Sequence, residues 1–309
     1  MKKRILTLLP CFLLILSACS MPVAATPQPV SPTNEPESTS GRVVAPTTKS
    51  GSGESDAATQ LYISGTFHVE TNRKSWPDVD AFLAFIEQAT ALGMKWSIGA
   101  DVGWLEGEPR AAEVVQKTTA LGVEWDVHTH VHADRARAAA LIRQFGGQPT
   151  SVYSGFLIQD WNEFVPEATY RGESWTAHIL WGAVNCPGHR PGCDEQTPGI
   201  WSPADADNYT AHDPAGTLIH VGDGTHQLAD GIALAEKIAA GQVNAPVVSF
   251  TVMVTPSTLQ IFPGEDGLEE IRAFYAQMNE YDFVRWATIE ETARARDAAG
   301  RISSQIGAK

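Results

Sequence analysis

The stretch Glu124-Trp125-Asp126-Val127-His128-Thr129-His130-Val131-His132 places three of the chain's nine histidines within five residues. In extended backbone, side chains alternate, so Asp126, His128, His130 and His132 fall on one face. Neutral imidazole nitrogens beside a carboxylate are the donors that zinc and similar divalent ions prefer. A lone histidine in such a place is ordinarily a hydrogen-bonded core residue. Three together at a strand end point to metal binding or proton transfer. Other titratable groups stand near other predicted strand ends. His68 and Glu70 are two apart and share a face, Asp101 closes a second β-rich run, and His220 closes a later one. His68, Glu70, Asp101 and His220 therefore stand beside the cluster as groups able to hold or move a proton, and Glu70 as one that could reach a metal. His220 ends an apolar run and reads equally as a core histidine; His226, in a Gly-rich loop, reads equally as solvated.

The elements that must position these groups alternate. Strands are predicted at Leu61–Glu70, Lys95–Asp101 and Val123–His132, then at Ser151–Phe156, Ala177–Val184, Thr217–Val221, Val247–Val254 and Phe283–Ile289. Helical spacing of apolar residues marks Asp78–Leu92, Pro109–Leu121, Ala133–Phe145, Leu228–Ala240, Glu265–Asn279 and Glu290–Ala299. Gly93, Gly122 and Gly146-Gly147 stop the first three helices. Such alternation calls for parallel strands with crossover helices. Seven or eight units suit a (β/α) barrel, whose chemistry sits at the C-terminal ends of its strands. An open doubly wound sheet is the alternative. No G-x-G-x-x-G follows the first strand and no Walker A sequence is present, so no nucleotide partner is expected.

Gly122-Val-Glu124-Trp-Asp-Val-His128-Thr129-His-Val-His132 resembles the second motif of the NodB-type polysaccharide deacetylases, G-H-E-I-x-x-H-[ST]-x-x-H. Gly122, Glu124, His128, Thr129 and His132 match in register. The resemblance implies a distorted (β/α) barrel of the carbohydrate esterase family 4 kind, with His128 and His132 binding a divalent metal, usually zinc. It implies hydrolysis of N- or O-acetyl groups of a glycan, polysaccharide or peptidoglycan-like, through a metal-activated water. The family's first motif, T-F-D-D-G, aligns with Thr66-Phe67-His68-Val69-Glu70. Thr66 and Phe67 match; the aspartates that act as base and third ligand are replaced by His68 and Val69, with Glu70 on the face of His68. The third motif's Arg is missing near Ser151-Val-Tyr153-Ser-Gly155, and Met253 stands where a late strand usually supplies a histidine. Two readings follow: a metal-dependent deacetylase, or a barrel that has lost the reaction and serves as a carbohydrate- or metal-binding protein. A third is another metallohydrolase using a His-x-His pair, as amidohydrolase-type barrels do on their first strand.

The flanks are of another kind. Lys2, Lys3 and Arg4 precede an apolar run ending in Leu16-Ser17-Ala18-Cys19, which resembles a bacterial lipobox. That implies lipidation of Cys19 and an extracytoplasmic protein anchored to a membrane without a transmembrane helix. Residues 20–58 are rich in Pro, Ser and Thr and read as a tether. Residues 59–301 form the expected barrel and 302–309 a flexible tail. The chain's 22 Lys+Arg against 36 Asp+Glu give −14. Residues 59–309 hold 17 of the former and 32 of the latter, or −15. So acidic a body argues against nucleic acid or an anionic membrane surface as its main partner. Cys186 and Cys193 bracket a Pro/Gly loop and read as a disulfide, or with His189 as a metal site. Residues 185–216 are long for a connection and suit a lid. Trp104, Tyr153 and Trp201 are expected to offer aromatic faces to sugar rings.

Overall fold

The structure, a computed structural model, describes residues 58–70, 79–182, 199–222, 228–254 and 265–304. The chain divides into residues 1–54 and 55–309, and every described residue lies in the second unit. The signal and lipobox with Cys19, the tether up to residue 57, Cys186, Cys193, His189 and His226 lie outside the described residues. Among the described residues no helix is long and apolar enough to cross a membrane.

The expected strands are present: β1 (Gln60–Val69), β2 (Trp96–Ala100), β3 (Glu124–His128), β4 (Pro149–Ser154), β7 (Ile179–Trp181), β9 (Ile219–Val221), β10 (Val247–Val254) and β11 (Val284–Trp286). A two-residue strand, β8 (Ile200–Trp201), joins them, and β5 (Glu167–Tyr170) and β6 (Glu173–Thr176) form a separate hairpin. The main sheet runs β10-β1-β2-β3-β4-β7-β9-β8, parallel throughout except for β8, with β11 also on β1. It is a mixed α/β architecture with a nearly closed, barrel-shaped sheet. At the seam, Ser249 Oγ of β10 donates to the Gly199 carbonyl beside β8 at 3.1 Å. Ser304 pairs with Ile200 there through both its N–H and its hydroxyl.

Helices α1 (Val79–Ala91), α3 (Ala111–Ala120) and α4 (Arg135–Gln144) fall where the apolar spacing predicts. So do α5 (Leu228–Ala239), α6 (Glu265–Met278) and α7 (Ile289–Ala298). An additional short helix, α2 (Val102–Gly107), begins directly after β2, where Asp101 accepts the Trp104 N–H as N-cap. One layer of core lies between sheet and helices, built on Phe67, Phe82, Ile86, Trp96, Trp125 and Val127.

The barrel interior is divided. On one side Val152, Ile179, Trp181, Ile219 and Val221 pack against Ile289 and Ala293 of α7. The other side is polar, because the register sets Thr66 beside Ser97 and Ser97 beside Glu124, then His68 beside Gly99 and Gly99 beside Asp126. Half-buried Glu124 accepts from Ser97 Oγ at 3.0 Å and from the Glu290 N–H at 3.2 Å, while Ser97 also accepts the Ile289 N–H. Glu124 thus braces the start of α7, whose own capping box joins Thr288 and Glu291. Burial pushes its carboxyl up to about 7, and burial with the neighbouring Glu124 pushes Asp126 up as well.

One expected strand is shorter than its sequence pattern. The prediction of extended backbone from Val123 to His132 is corrected: β3 ends at His128. Thr129 continues one bond of the ladder, its N–H to the Ser154 carbonyl, but its hydroxyl takes the Val131 N–H at 3.0 Å. A hydroxyl that captures backbone two residues on replaces the ladder with a turn. His132–Asp134 then form one turn of 3-10 helix. His130 and His132 therefore leave the strand face that Asp126 and His128 share.

Candidate metal centre

His68, at the end of β1, and His128, at the end of β3, meet across Gly99 of β2. Their rings lie 4.0 Å apart between centroids, and Trp181 stands edge-on to His68 at 4.8 Å. A Cβ at position 99 would fall 2.8 Å from Ser154 Oγ and 2.9 Å from His128 Cβ, so this approach requires glycine. Glu70, one residue past β1, turns back over the pair. Its Oε1 accepts from His128 Nε2 at 2.8 Å and lies 3.7 Å from His130 Nε2.

These contacts set the charges. The hydrogen bond from His128 first, and then the nearby His130 ring, hold the Glu70 carboxyl far below the usual range. Burial lowers His128 and outweighs Glu70, leaving it a neutral donor. The bond to Glu70 raises His130, which is 38% exposed. The donor set fits a divalent ion: one ligand atom each from His68, Glu70 and His128, all within 4.8 Å of one another. His130 Nε2 faces the same carboxylate.

His132, expected as a ligand, is placed elsewhere. Its Nδ1 meets the Tyr153 hydroxyl at 3.0 Å, and its Nε2 lies 3.1 Å from Asp160 Oδ2 without hydrogen-bond alignment. Its ring packs near Phe156 and Phe164, and Arg135 lies over Phe164. Asp101 caps α2 and also lies close enough to act electrostatically on His128 and His130. His220 is fully enclosed: Nδ1 accepts from the Tyr209 hydroxyl at 2.7 Å, Nε2 donates to the Gly182 carbonyl at 2.8 Å, and the ring stacks on Trp201 at 4.3 Å. Burial pulls its pKa down to about 4. The core reading of His220 is the one the structure supports.

The expected aromatic sugar platforms are corrected. Trp104, Tyr153 and Trp201 are 4%, 0% and 0% exposed. Each belongs to an element (α2, β4 and β8) rather than a loop, and each ring packs into the core. Tyr153 stacks on Phe164, and Trp201 Nε1 donates to the Tyr209 carbonyl. Ser154 and Gly155, whose contacts orient His128 and His130, were not singled out as site residues from sequence. Their signal is positional: they end the strand next to the histidine strand.

No family model matches the chain, and no curated protein matches it. Solved structures similar to it include a deacetylase described as T48 with substrate, at 11% identity over 80% of this chain and 94% of that one, with a TM-score of 0.40. They also include the peptidoglycan deacetylase PdaC of Bacillus subtilis, at 8% identity over 78% and 93%, TM-score 0.37. A family 4 carbohydrate esterase of Streptomyces lividans in complex with acetate is similar at 14% identity over 36% and 70%, TM-score 0.24.

Proposed function

We propose that this chain is a metal-dependent hydrolase that removes N- or O-acetyl groups from a glycan, working at the mouth of the barrel around His68, Glu70 and His128. The observation that carries the reading is the convergence of those three donors from two strand ends. A divalent metal, zinc first by its preference for imidazole, would be held by His68, Glu70 and His128 and supplies Lewis-acid polarisation of an acyl carbonyl when bound. The chain's own residues supply the rest. His130, raised by Glu70 and open to solvent, is the group able to hold a proton at Nε2 for a leaving amine or alcohol. The buried Ser154 and the Gly155 carbonyl keep His128 and His130 turned toward Glu70. In the same reading Cys19 carries a lipid that anchors the chain, through the tether, to the cell-surface or periplasmic face of a bacterial membrane. The −15 of residues 59–309 favours neutral or basic glycans.

A second reading, metal binding without turnover, is favoured by one observation: His220, the expected late acid, is sealed in the core. Zinc stoichiometry and acetate release from chitooligosaccharides, acetylated xylan and peptidoglycan separate the two. Stoichiometric zinc with acetate release that His128→Ala abolishes supports the hydrolase. Zinc without acetate from any of the three supports the binding protein, and absence of zinc binding overturns both.

A further inference from the structure

His128, His130 and His132, at and just past the end of β3, are each held through Nδ1 by one of three consecutive residues at and just past the end of β4. Tyr153 holds His132, Ser154 holds His128 and Gly155 holds His130, each at 3.0 Å. Two of these partners dictate where the ring proton sits. The Gly155 carbonyl only accepts, so His130 donates from Nδ1. The Tyr153 hydroxyl spends its hydrogen on the Thr129 carbonyl at 2.8 Å, so His132 donates to it. Ser154 dictates nothing: among the described residues its hydroxyl has His128 as its one hydrogen-bond partner, and a hydroxyl both donates and accepts.

That freedom matters because His128 and Ser154 are 1% and 0% exposed, so water does not take over either ring nitrogen. With the Glu70 carboxylate oxygen 2.8 Å from Nε2, the His128 proton sits on Nε2 and Nδ1 takes the Ser154 O–H. When Nε2 serves a metal instead, the neutral ring carries its proton on Nδ1, and the same hydroxyl turns to accept it. One proton leaves Nε2 and one arrives at Nδ1; the ring stays neutral.

We propose that Ser154 is a positioning residue for the metal centre, a reversible hydrogen-bond partner that lets buried His128 exchange Glu70 for a metal ion with both ring nitrogens satisfied in each state. This rests on the metal reading above. The test uses the full chain labelled with ¹⁵N-histidine, metal-free and zinc-loaded, the His128 signals being those lost in His128→Ala. The protonated nitrogen of His128 is expected to change from Nε2 to Nδ1 on loading. Zinc affinity, read by competition with a chromophoric chelator, is expected to fall by about 10- to 100-fold in Ser154→Ala. Equal affinity in Ser154→Ala, or a His128 proton on Nδ1 before zinc is added, overturns the proposal while the metal reading stands. A parent chain that binds no zinc overturns both. The parent spectra alone carry the test where the variant does not fold.

Discussion

His128 and His220 are near-twins that do different things. Both are buried in parallel strands, both turn Nδ1 to a hydroxyl, and both place Nε2 2.8 Å from an oxygen. Each also lies against another ring, His68 or Trp201. The difference is the oxygen. His220 Nε2 is fixed to a backbone carbonyl, which belongs to the fold and cannot leave. His128 Nε2 faces a carboxylate on a side chain just past a strand end, itself 17% exposed. A histidine with a replaceable partner is available for chemistry, and one with an irreplaceable partner is structure.

The largest effects should come from exchanging the losses. His220→Ala is expected to cost about 3–4 kcal/mol in denaturant unfolding, since it opens a cavity and orphans the Tyr209 hydroxyl and the Gly182 carbonyl. Zinc affinity of the folded fraction should hold. His128→Ala should lower zinc affinity by more than about 100-fold with a smaller stability loss. Equal zinc loss in both variants would break the contrast. The next comparison lies within the site. His68→Ala should lose zinc nearly as fully as His128→Ala, whereas His132→Ala should leave affinity unchanged by calorimetric titration. The reverse order would restore His132 as the ligand.

Acid sharpens the comparison from the side of His220. Its folded pKa of about 4 lies below the ordinary 6.5, so the unfolded chain takes up the proton first. The stability of the neutral buried ring is whole above pH 6.5 and is lost as pH falls toward 4. The stability advantage of the parent over His220→Gln should therefore shrink by on the order of 3 kcal/mol across that window. Glu124, pushed up to about 7, has the opposite sign: its contribution is whole below 4.5 and is lost as pH rises through 7. Relative to Glu124→Gln, the parent should weaken on that rise. The smallest expected effect is Gly99→Ala. It forces a few tenths of an ångström between Ser154 and His128, costing about 1–3 kcal/mol in stability, with a measurable fall in zinc affinity.

Much of this was legible in the residues. The alternation of β-rich and helical stretches, punctuated by Gly93 and Gly122, anticipates the parallel strands and most helices to within a few positions. The pairing of His68 with Glu70 and the importance of His128 follow from strand-end position. What was hidden depends on individual side-chain contacts, near and far in sequence, that periodicity does not display. The end of β3 is decided by a single threonine hydroxyl, and that shift turns His130 and His132 off the expected face. Nothing local distinguishes His128 from His220, because the partners that do so stand at positions 70 and 182. Two of the aromatic residues expected at the surface are covered by side chains of the connections that follow them, Trp201 by Tyr209 and Tyr153 by Phe164.

The seam of the barrel has a mechanical consequence. Elsewhere neighbouring strands of the main sheet share a ladder of backbone bonds, but β10 reaches the β8 side through Ser249, while the outer edge of β8 at Ile200 is taken up by Ser304. Parting that line breaks a few isolated bonds and no ladder, so the circumference can give there while β1, β2 and β3 keep their register. Amide exchange should accordingly be fastest around Ile200 and slowest along β1. A fold of this kind can give at that line while the laddered strands β1, β2 and β3 keep the spacing of His68, Gly99 and His128.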